Sequence, residues 1–132
     1  MPISMTPFLM FQGDAAAALE RYQAIFPEAR IEVIERYPPD AAGAQGRLKR
    51  ARLSLAGQAV LVFDSDVKHA FGFTPSFSFW LECASEEELR RLAGLLAEDG
   101  GGELMPAGDY GFSRLFAWVS DRFGVSWQLN LA

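Results

Sequence analysis

The chain has 132 residues and a mass of 14.6 kDa, with 50% hydrophobic and 13% aromatic residues. A chain of this size buries a core without disulfide or metal staples, and its dispersed charges exclude a disordered protein. Its net charge of −5 repels a phosphate backbone, which excludes nucleic acid as a partner.

Cysteine content and hydropathy bear on the compartment. Cys83 is the single cysteine, so neither an internal disulfide nor a zinc site of paired cysteines can form. Without a basic neighbour to activate it, this thiol is expected to be a buried bystander. No stretch approaches the roughly 18 apolar residues of a membrane span, and residues 1–10 do not resemble an export signal. We therefore expect a cytoplasmic protein that does not enter a membrane.

The first half of the chain predicts a strand, a helix and three more strands. Residues 7–11 form an apolar run, after which Asp14 is positioned as the N-cap of a helix over Ala15–Ile25. A strand over residues 31–37 precedes a loop over residues 38–46. Two strands joined by a tight Ala56-Gly57 turn complete this half, over Leu48–Leu55 and Gln58–Asp64.

The second half repeats this order. Residues 76–82 alternate between apolar and polar, and Ser85 with Glu88 matches a capping box ahead of a helix over residues 89–98. Glycines 100–102 supply the end of that helix and a turn. Three further strands follow, with a turn at residues 121–124 before the last, over residues 103–105, 113–119 and 125–131.

The repeat, after about 70 residues, predicts the architecture. We expect one α+β domain built from two βαβββ modules, over residues 1–66 and 74–132. An antiparallel sheet with one helix leaves its second face uncovered, so the two modules are expected to face each other across a cup. That cup is the predicted ligand site.

Three segments carry a resemblance to a known family, and they read TPFLMFQGD at residues 6–14, RYQAIFP at 21–27 and DRFGVSWQ at 121–128. They resemble the PhnB-like branch of the vicinal oxygen chelate superfamily, often labelled 3-demethylubiquinone-9 3-methyltransferase. This superfamily includes glyoxalase I, fosfomycin-resistance proteins and extradiol dioxygenases. The resemblance covers nearly the whole chain and implies a glyoxalase-like cup. Nothing in the sequence resembles the doubly wound cofactor domain that the methyltransferase label suggests.

The resemblance also implies where a metal would bind. Metal-dependent members place ligands on the first and last strands of each module, and these positions align with Pro7, Leu61, Ser76 and Gln128. Divalent ions need several anionic or imidazole donors, and only Gln128 is even a weak ligand. We therefore expect neither a metal nor another cofactor.

Strand alternation from the aligned positions predicts which side chains line the cup. The expected lining is aromatic with neutral hydrogen-bonding groups, and it comprises Leu9, Phe11, Leu61, Ser76, Ser78, Trp80, Ser126, Gln128 and Asn130. By the same rule Trp127 belongs to the core, whereas the role of Trp118 stays open. Such a lining suits a small, partly apolar molecule.

A few other residues support alternative hypotheses. Asp64, Asp66 and His69 are a second candidate metal site, although carboxylates after a strand more often cap turns. His69 is the single histidine and hence the candidate general base. Arg50 and Arg52 would hold an anionic substrate if they faced inward, and would line a solvated face otherwise.

Two functions are therefore considered. The first is metal-independent binding of a small, partly apolar metabolite, and the second is an enzyme with lyase, isomerase or transferase activity on a small molecule. Binding is favoured because the superfamily's reactions rely on a metal to stabilise oxyanions, and no replacement donors are evident. The resemblance further implies a homodimer.

Overall fold

The computed structural model describes residues 2–39 and 47–132, so residues 40–46 of the predicted loop lie outside the described part. Its elements follow the predicted order of strand, helix and three strands, repeated once. They are β1 (Phe8–Phe11), α1 (Ala15–Ile25), β2 (Arg30–Arg36), β3 (Leu48–Leu55), β4 (Gln58–Asp64), β5 (Ser78–Glu82), α2 (Glu86–Ala97), β6 (Gly102–Gly108), β7 (Leu115–Ser120) and β8 (Ser126–Leu131). No helix among the described residues is both long and apolar enough to span a membrane.

The strands form two sheets of the same topology. One has the order β1-β4-β3-β2 and the other the order β5-β8-β7-β6. In each sheet the first strand lies parallel to the last, and the remaining neighbours are antiparallel. The chain divides into compact units at Met1–Ala70 and Phe71–Ala132, called module one and module two below. This is the predicted α+β fold of two βαβββ modules.

The start of α1 differs from the sequence prediction. Asp14 occupies the N-cap position, but its side chain makes no capping hydrogen bond. Instead Asp64, at the end of β4 and only 1% exposed, accepts from Gly13 N at 2.9 Å and from Ala15 N at 3.0 Å. The parallel β1–β4 pair sets Asp64 beside Phe11, which brings a distant carboxylate to the helix start. Sequence neighbours alone do not reveal this long-range cap.

The hairpin of module one has the predicted bounds. Ala56 and Gly57 have φ values of 51° and 82°, as a two-residue turn between antiparallel strands requires. Alternate residues of β3 and β4 are buried together with one side of α1. This core includes Leu19, Tyr22, Ala51, Leu53, Val60 and Val62.

The start of α2 is capped locally. Ser85 Oγ accepts from Glu88 N at 3.1 Å, and Glu88 Oε1 accepts from Ala84 N at 2.9 Å. The return contact thus reaches the residue before the N-cap rather than the N-cap itself. The helix begins at Glu86, three residues before the predicted start, because acidic residues in the first turn interact favourably with the helix dipole.

The turn at residues 121–124 ties the last hairpin to the core of module two. Asp121 is 2% exposed, and its Oδ1 accepts from Phe123 N at 2.9 Å and from Val125 N at 3.0 Å. Its Oδ2 accepts from Trp127 Nε1 at 3.0 Å. Trp127 is 1% exposed, so it belongs to the core as predicted.

Candidate functional site

The sheet of module two has one face beneath α2 and one without a helix. Trp127 and Leu129 are buried on the α2 side. The alternate residues point to the opposite side, and strand register groups them into one surface. We call this surface the helix-free face of module two, and it comprises Ser78, Trp80, Glu82, Phe116, Trp118, Ser126, Gln128 and Asn130.

A hydrogen-bond network links the central residues of this face. Ser78 Oγ lies 2.6 Å from Ser126 Oγ, and Gln128 Nε2 donates to Ser78 Oγ at 3.2 Å. Trp118 Nε1 donates to Ser126 Oγ at 2.8 Å, which assigns this tryptophan to the face. The structure therefore brings together three of the residues predicted for the site, Ser78, Ser126 and Gln128.

A carboxylate that the sequence analysis missed lies at the end of the same face. Trp80 Nε1 donates to Glu82 Oε1 at 2.7 Å, and Asn130 Nδ2 lies 3.1 Å from Glu82 Oε2. The hydrogen bond from Trp80, followed by that from Asn130, lowers the pKa of Glu82 below its ordinary value despite a small opposing effect of burial. Alternation from Ser78 through Trp80 would have identified Glu82.

Aromatic rings extend the face beside Trp80, which is 50% exposed. The ring centroid of Trp80 lies 5.7 Å from that of Phe116. Phe112 and Tyr110 contact the other side of Phe116 at 4.9 and 6.1 Å. Phe112 and Tyr110 lie between β6 and β7, where strand alternation gives no signal, so the sequence analysis missed them.

Asn130 carries an unfilled acceptor. The residue is 7% exposed, and its Nδ2 donates to Glu82. Its Oδ1 is buried and receives no hydrogen bond from any residue of ranges 2–39 and 47–132. A buried amide oxygen without a donor costs about 1–3 kcal/mol, so a group that supplied one would be stabilised there.

Ser76 does not join the network. Strand β5 begins at Ser78, and Ser76 lies before it as an exposed residue whose Oγ is 2.7 Å from Thr74 Oγ1. The predicted alternation started two residues too early, because Thr74 and Pro75 lead into a turn rather than a strand.

The predicted inward orientation of Leu9 and Phe11 is wrong. Both are buried, at 4% and 3% exposure, and they pair with Val62 and Asp64 on the side of module one that α1 covers. Phe8 pairs with Leu61 on the other side and stacks on Phe63 at 5.8 Å. A shift of one residue in a strand exchanges its two faces, and the sequence alignment carried that shift.

This register also corrects the expected metal positions. Phe8, not Pro7, lies beside Leu61 on the helix-free side of β1 and β4, and Gln128 already donates to Ser78. No group of three or more His, Cys, Asp or Glu side chains that could hold a metal ion occurs in the described ranges. The residues at the family's ligand positions therefore do not fit a divalent ion.

The second candidate metal site has another role. The Asp64 carboxylate accepts at the start of α1, whereas His69 Nε2 lies 3.1 Å from Ser65 Oγ. His69 also donates its backbone N–H to Gln12 Oε1 at 2.7 Å. It lines a depression of about 390 Å³ within module one, together with Gln12, Arg47, Ser65, Asp66, Val67 and Lys68.

Cys83 and Arg52 give no support to the chemical roles considered for them. Burial raises the pKa of the Cys83 thiol to about 11, with further increases from Glu88 and Glu82, so the thiol is protonated at neutral pH. Arg52 lies beside Leu61 in register, and its Nη1 is 2.9 Å from Glu32 Oε1. Its guanidinium thus serves an ion pair within module one.

Comparison with known proteins gives one family and several structures. Residues 3–130 match the family model described as 3-demethylubiquinone-9 3-methyltransferase. A putative 3-demethylubiquinone-9 3-methyltransferase, PhnB protein, from Bacillus cereus is 42% identical, with 98% of this chain and 100% of that chain covered and a TM-score of 0.91. No curated protein matches the chain.

Two further structures extend the similarity. Protein PA1353 from Pseudomonas aeruginosa is 26% identical, with 98% of each chain covered and a TM-score of 0.82. A glyoxalase-related enzyme from Fulvimarina pelagi is 17% identical, with 98% of this chain and 89% of that chain covered and a TM-score of 0.63. The second similarity concerns the fold alone.

Proposed function

We propose, on the premise that the chain belongs to the 3-demethylubiquinone-9 3-methyltransferase family in the PhnB-like branch of the glyoxalase superfamily, that it binds a small, partly apolar molecule without a metal. The site proposed is the helix-free face of module two. Ligand sites of this kind combine apolar and aromatic walls with a few positioned polar groups.

The observation that carries the proposal is the adjacency of an aromatic and a polar surface. Trp80 and Gln128 are register partners, so the half-exposed indole lies next to the Ser78–Ser126–Gln128 network. The indole offers apolar area, and the network offers hydrogen-bonding atoms in fixed positions. A molecule with one flat apolar part and one polar part matches this surface.

The family description does not extend the proposal to methyl transfer. Each sheet has four strands and one helix, and neither is the doubly wound parallel sheet of a dinucleotide-type cofactor domain. Catalysis of other superfamily reactions requires donors directed at a developing oxyanion. On this face the Trp80 and Asn130 donors point at Glu82, and the Trp118 donor at Ser126. The proposal therefore stops at binding.

The test is a ligand search followed by matched variants. Native mass spectrometry of freshly purified protein and a thermal-shift screen of a metabolite library identify the ligand, with chelator-treated protein used throughout. We expect Trp80→Ala and Gln128→Ala each to weaken binding by about tenfold, because each removes one of the two surfaces. Phe77→Ala is the control, since this phenylalanine is 57% exposed but contacts Phe79.

Two outcomes would contradict the proposal. Equal loss of affinity in Phe77→Ala would show that the ligand lies elsewhere. Chemical conversion of the ligand by chelator-treated protein, abolished by His69→Ala, would replace binding with the enzyme hypothesis.

We also propose a homodimer located in the cytoplasm, as the resemblance implies. Light scattering on the full chain tests the assembly, and a species of 14.6 kDa at micromolar concentration would contradict it. Assembly and ligand binding are separable, because every residue of the proposed site belongs to module two of one chain.

A further inference from the structure

Glu82 is a carboxylate without a cationic partner. Its polar contacts within the described ranges are the indole N–H of Trp80 and the amide N–H of Asn130. Other surface glutamates of the chain pair with a base, as Glu32 does with Arg52 and Glu86 with Arg90. The negative charge of Glu82 thus stands unneutralised on a surface otherwise made of aromatic rings and neutral groups.

The groups around Glu82 leave acceptors free and donors used. The nearest side-chain donors, on Trp80 and Asn130, are already directed at the carboxylate. The carboxylate is exposed, and the adjacent Asn130 Oδ1 is a buried acceptor without a donor. A ligand that approaches this end of the face therefore meets negative charge and lone pairs, which a protonated amine matches and an anion does not.

Apolar surface adjoins this acceptor group. Trp80 donates to Glu82 from the edge of its ring and contacts Phe116 on its other side, and Phe112 continues the surface. A molecule whose ammonium group pairs with Glu82 can therefore lay an apolar substituent on these rings. Aromatic faces also attract cations, which reinforces the same preference.

From this geometry we infer that the ligand of module two is an organic ammonium ion, with its N–H donors on Glu82 and its apolar substituent against Trp80 and Phe116. The inference rests on the proposed function and names the class of molecule bound. Charge is available over the physiological range, because both hydrogen bonds to Glu82 favour the ionised carboxylate.

The experiment uses three probes that share one ring and differ in charge: benzylammonium, benzyl alcohol and benzoate, each titrated at neutral pH. The readout is the indole N–H resonances of the chain's three tryptophans in ¹⁵N correlation spectra. Trp80 N–H donates to Glu82 and reports the site, whereas Trp127 N–H donates to buried Asp121 and serves as the internal reference.

We expect benzylammonium to shift the Trp80 resonance and to bind about tenfold more tightly than benzyl alcohol, with benzoate weakest. Glu82→Gln removes the charge but keeps the shape, and it should bring benzylammonium to the affinity of benzyl alcohol. Glu87→Gln is the control, because this glutamate is exposed in the first turn of α2 and should leave all three affinities unchanged.

The outcomes separate this inference from the proposed function. Equal affinity of benzyl alcohol and benzylammonium, both shifting Trp80, overturns the ammonium class and supports an apolar binding site. A preference for benzylammonium that survives Glu82→Gln, or no binding of benzylammonium at millimolar concentration, overturns the inference. The proposed function fails separately, if the ligand found by the library screen binds Trp80→Ala as well as it binds the unmodified chain.

Discussion

The two modules share a topology but not the chemistry of their helix-free faces. In module one Phe8 lies beside Leu61, and in module two Trp80 lies beside Gln128 in the same parallel pairing of first and last strands. The positions on these strands read Phe8, Met10, Leu61 and Phe63 in module one, against Trp80, Glu82, Gln128 and Asn130 in module two. A repeated backbone thus supplies one apolar and one polar face, and function follows the side chains.

The modules also start their helices differently. Module one uses Asp64, which lies 49 residues from Ala15 in sequence, and module two uses Ser85 and Glu88 within a single turn. The first device depends on the sheet being assembled, whereas the second acts within a local segment. The helix of module one is therefore tied to its tertiary structure in a way that α2 is not.

The largest expected effect comes from Asp64→Ala. It leaves the N–H groups of Gly13 and Ala15 without their acceptor, and we expect a loss of about 2–3 kcal/mol in the free energy of unfolding. Urea unfolding followed by circular dichroism measures it. Asp14→Ala is the matched control and should change stability by less than about 0.5 kcal/mol, because the Asp14 side chain caps nothing. An equal loss in both variants would contradict the long-range cap.

A smaller effect is expected from the local cap of α2. Ser85→Ala removes the acceptor of Glu88 N and should cost about 1 kcal/mol, measured by the same unfolding experiment. The difference between modules is sharpened if the loss stays below that of Asp64→Ala. A larger loss for Ser85→Ala would reverse the ranking of the two devices.

The smallest effect concerns acid. The pKa of Glu82 is lowered from its ordinary value of 4.5, so its contribution to stability is present above that value and is lost as the pH falls through the lowered pKa. Unfolding free energies of the unmodified chain and Glu82→Gln should therefore converge on acidification below pH 4.5. Glu88, the other carboxylate near Cys83, is retained in both proteins. A difference that grows in acid would contradict the assigned hydrogen bonds.

Local signals in the sequence were sufficient for much of the fold. Helical spacing gave Ala15–Ile25, and alternation with an Ala-Gly turn gave Leu48–Leu55 and Gln58–Asp64 with the observed bounds. Ser85 marked the cap of α2, but the acidic first turn was not counted as helix. Patterns of period 2 and 3.6 identify elements well because burial imposes them.

The site was only partly predictable, for a geometric reason. Alternation divides a strand into two faces but does not say which face meets the helix, so Leu9 and Phe11 were assigned to the wrong side. Strand pairing decides this, and pairing is a tertiary property. Glu82 was missed because it ends β5, and Phe112 because it lies outside a strand.

The central claim is that module two, and not module one, provides the binding face. The most direct test measures the affinity of the ligand from the library screen for Trp80→Ala and Phe8→Ala side by side, since these two half-exposed aromatic residues occupy comparable places in the two modules. We predict a loss of about tenfold in Trp80→Ala and less than about twofold in Phe8→Ala. Equal losses, or a larger loss in Phe8→Ala, would contradict the claim.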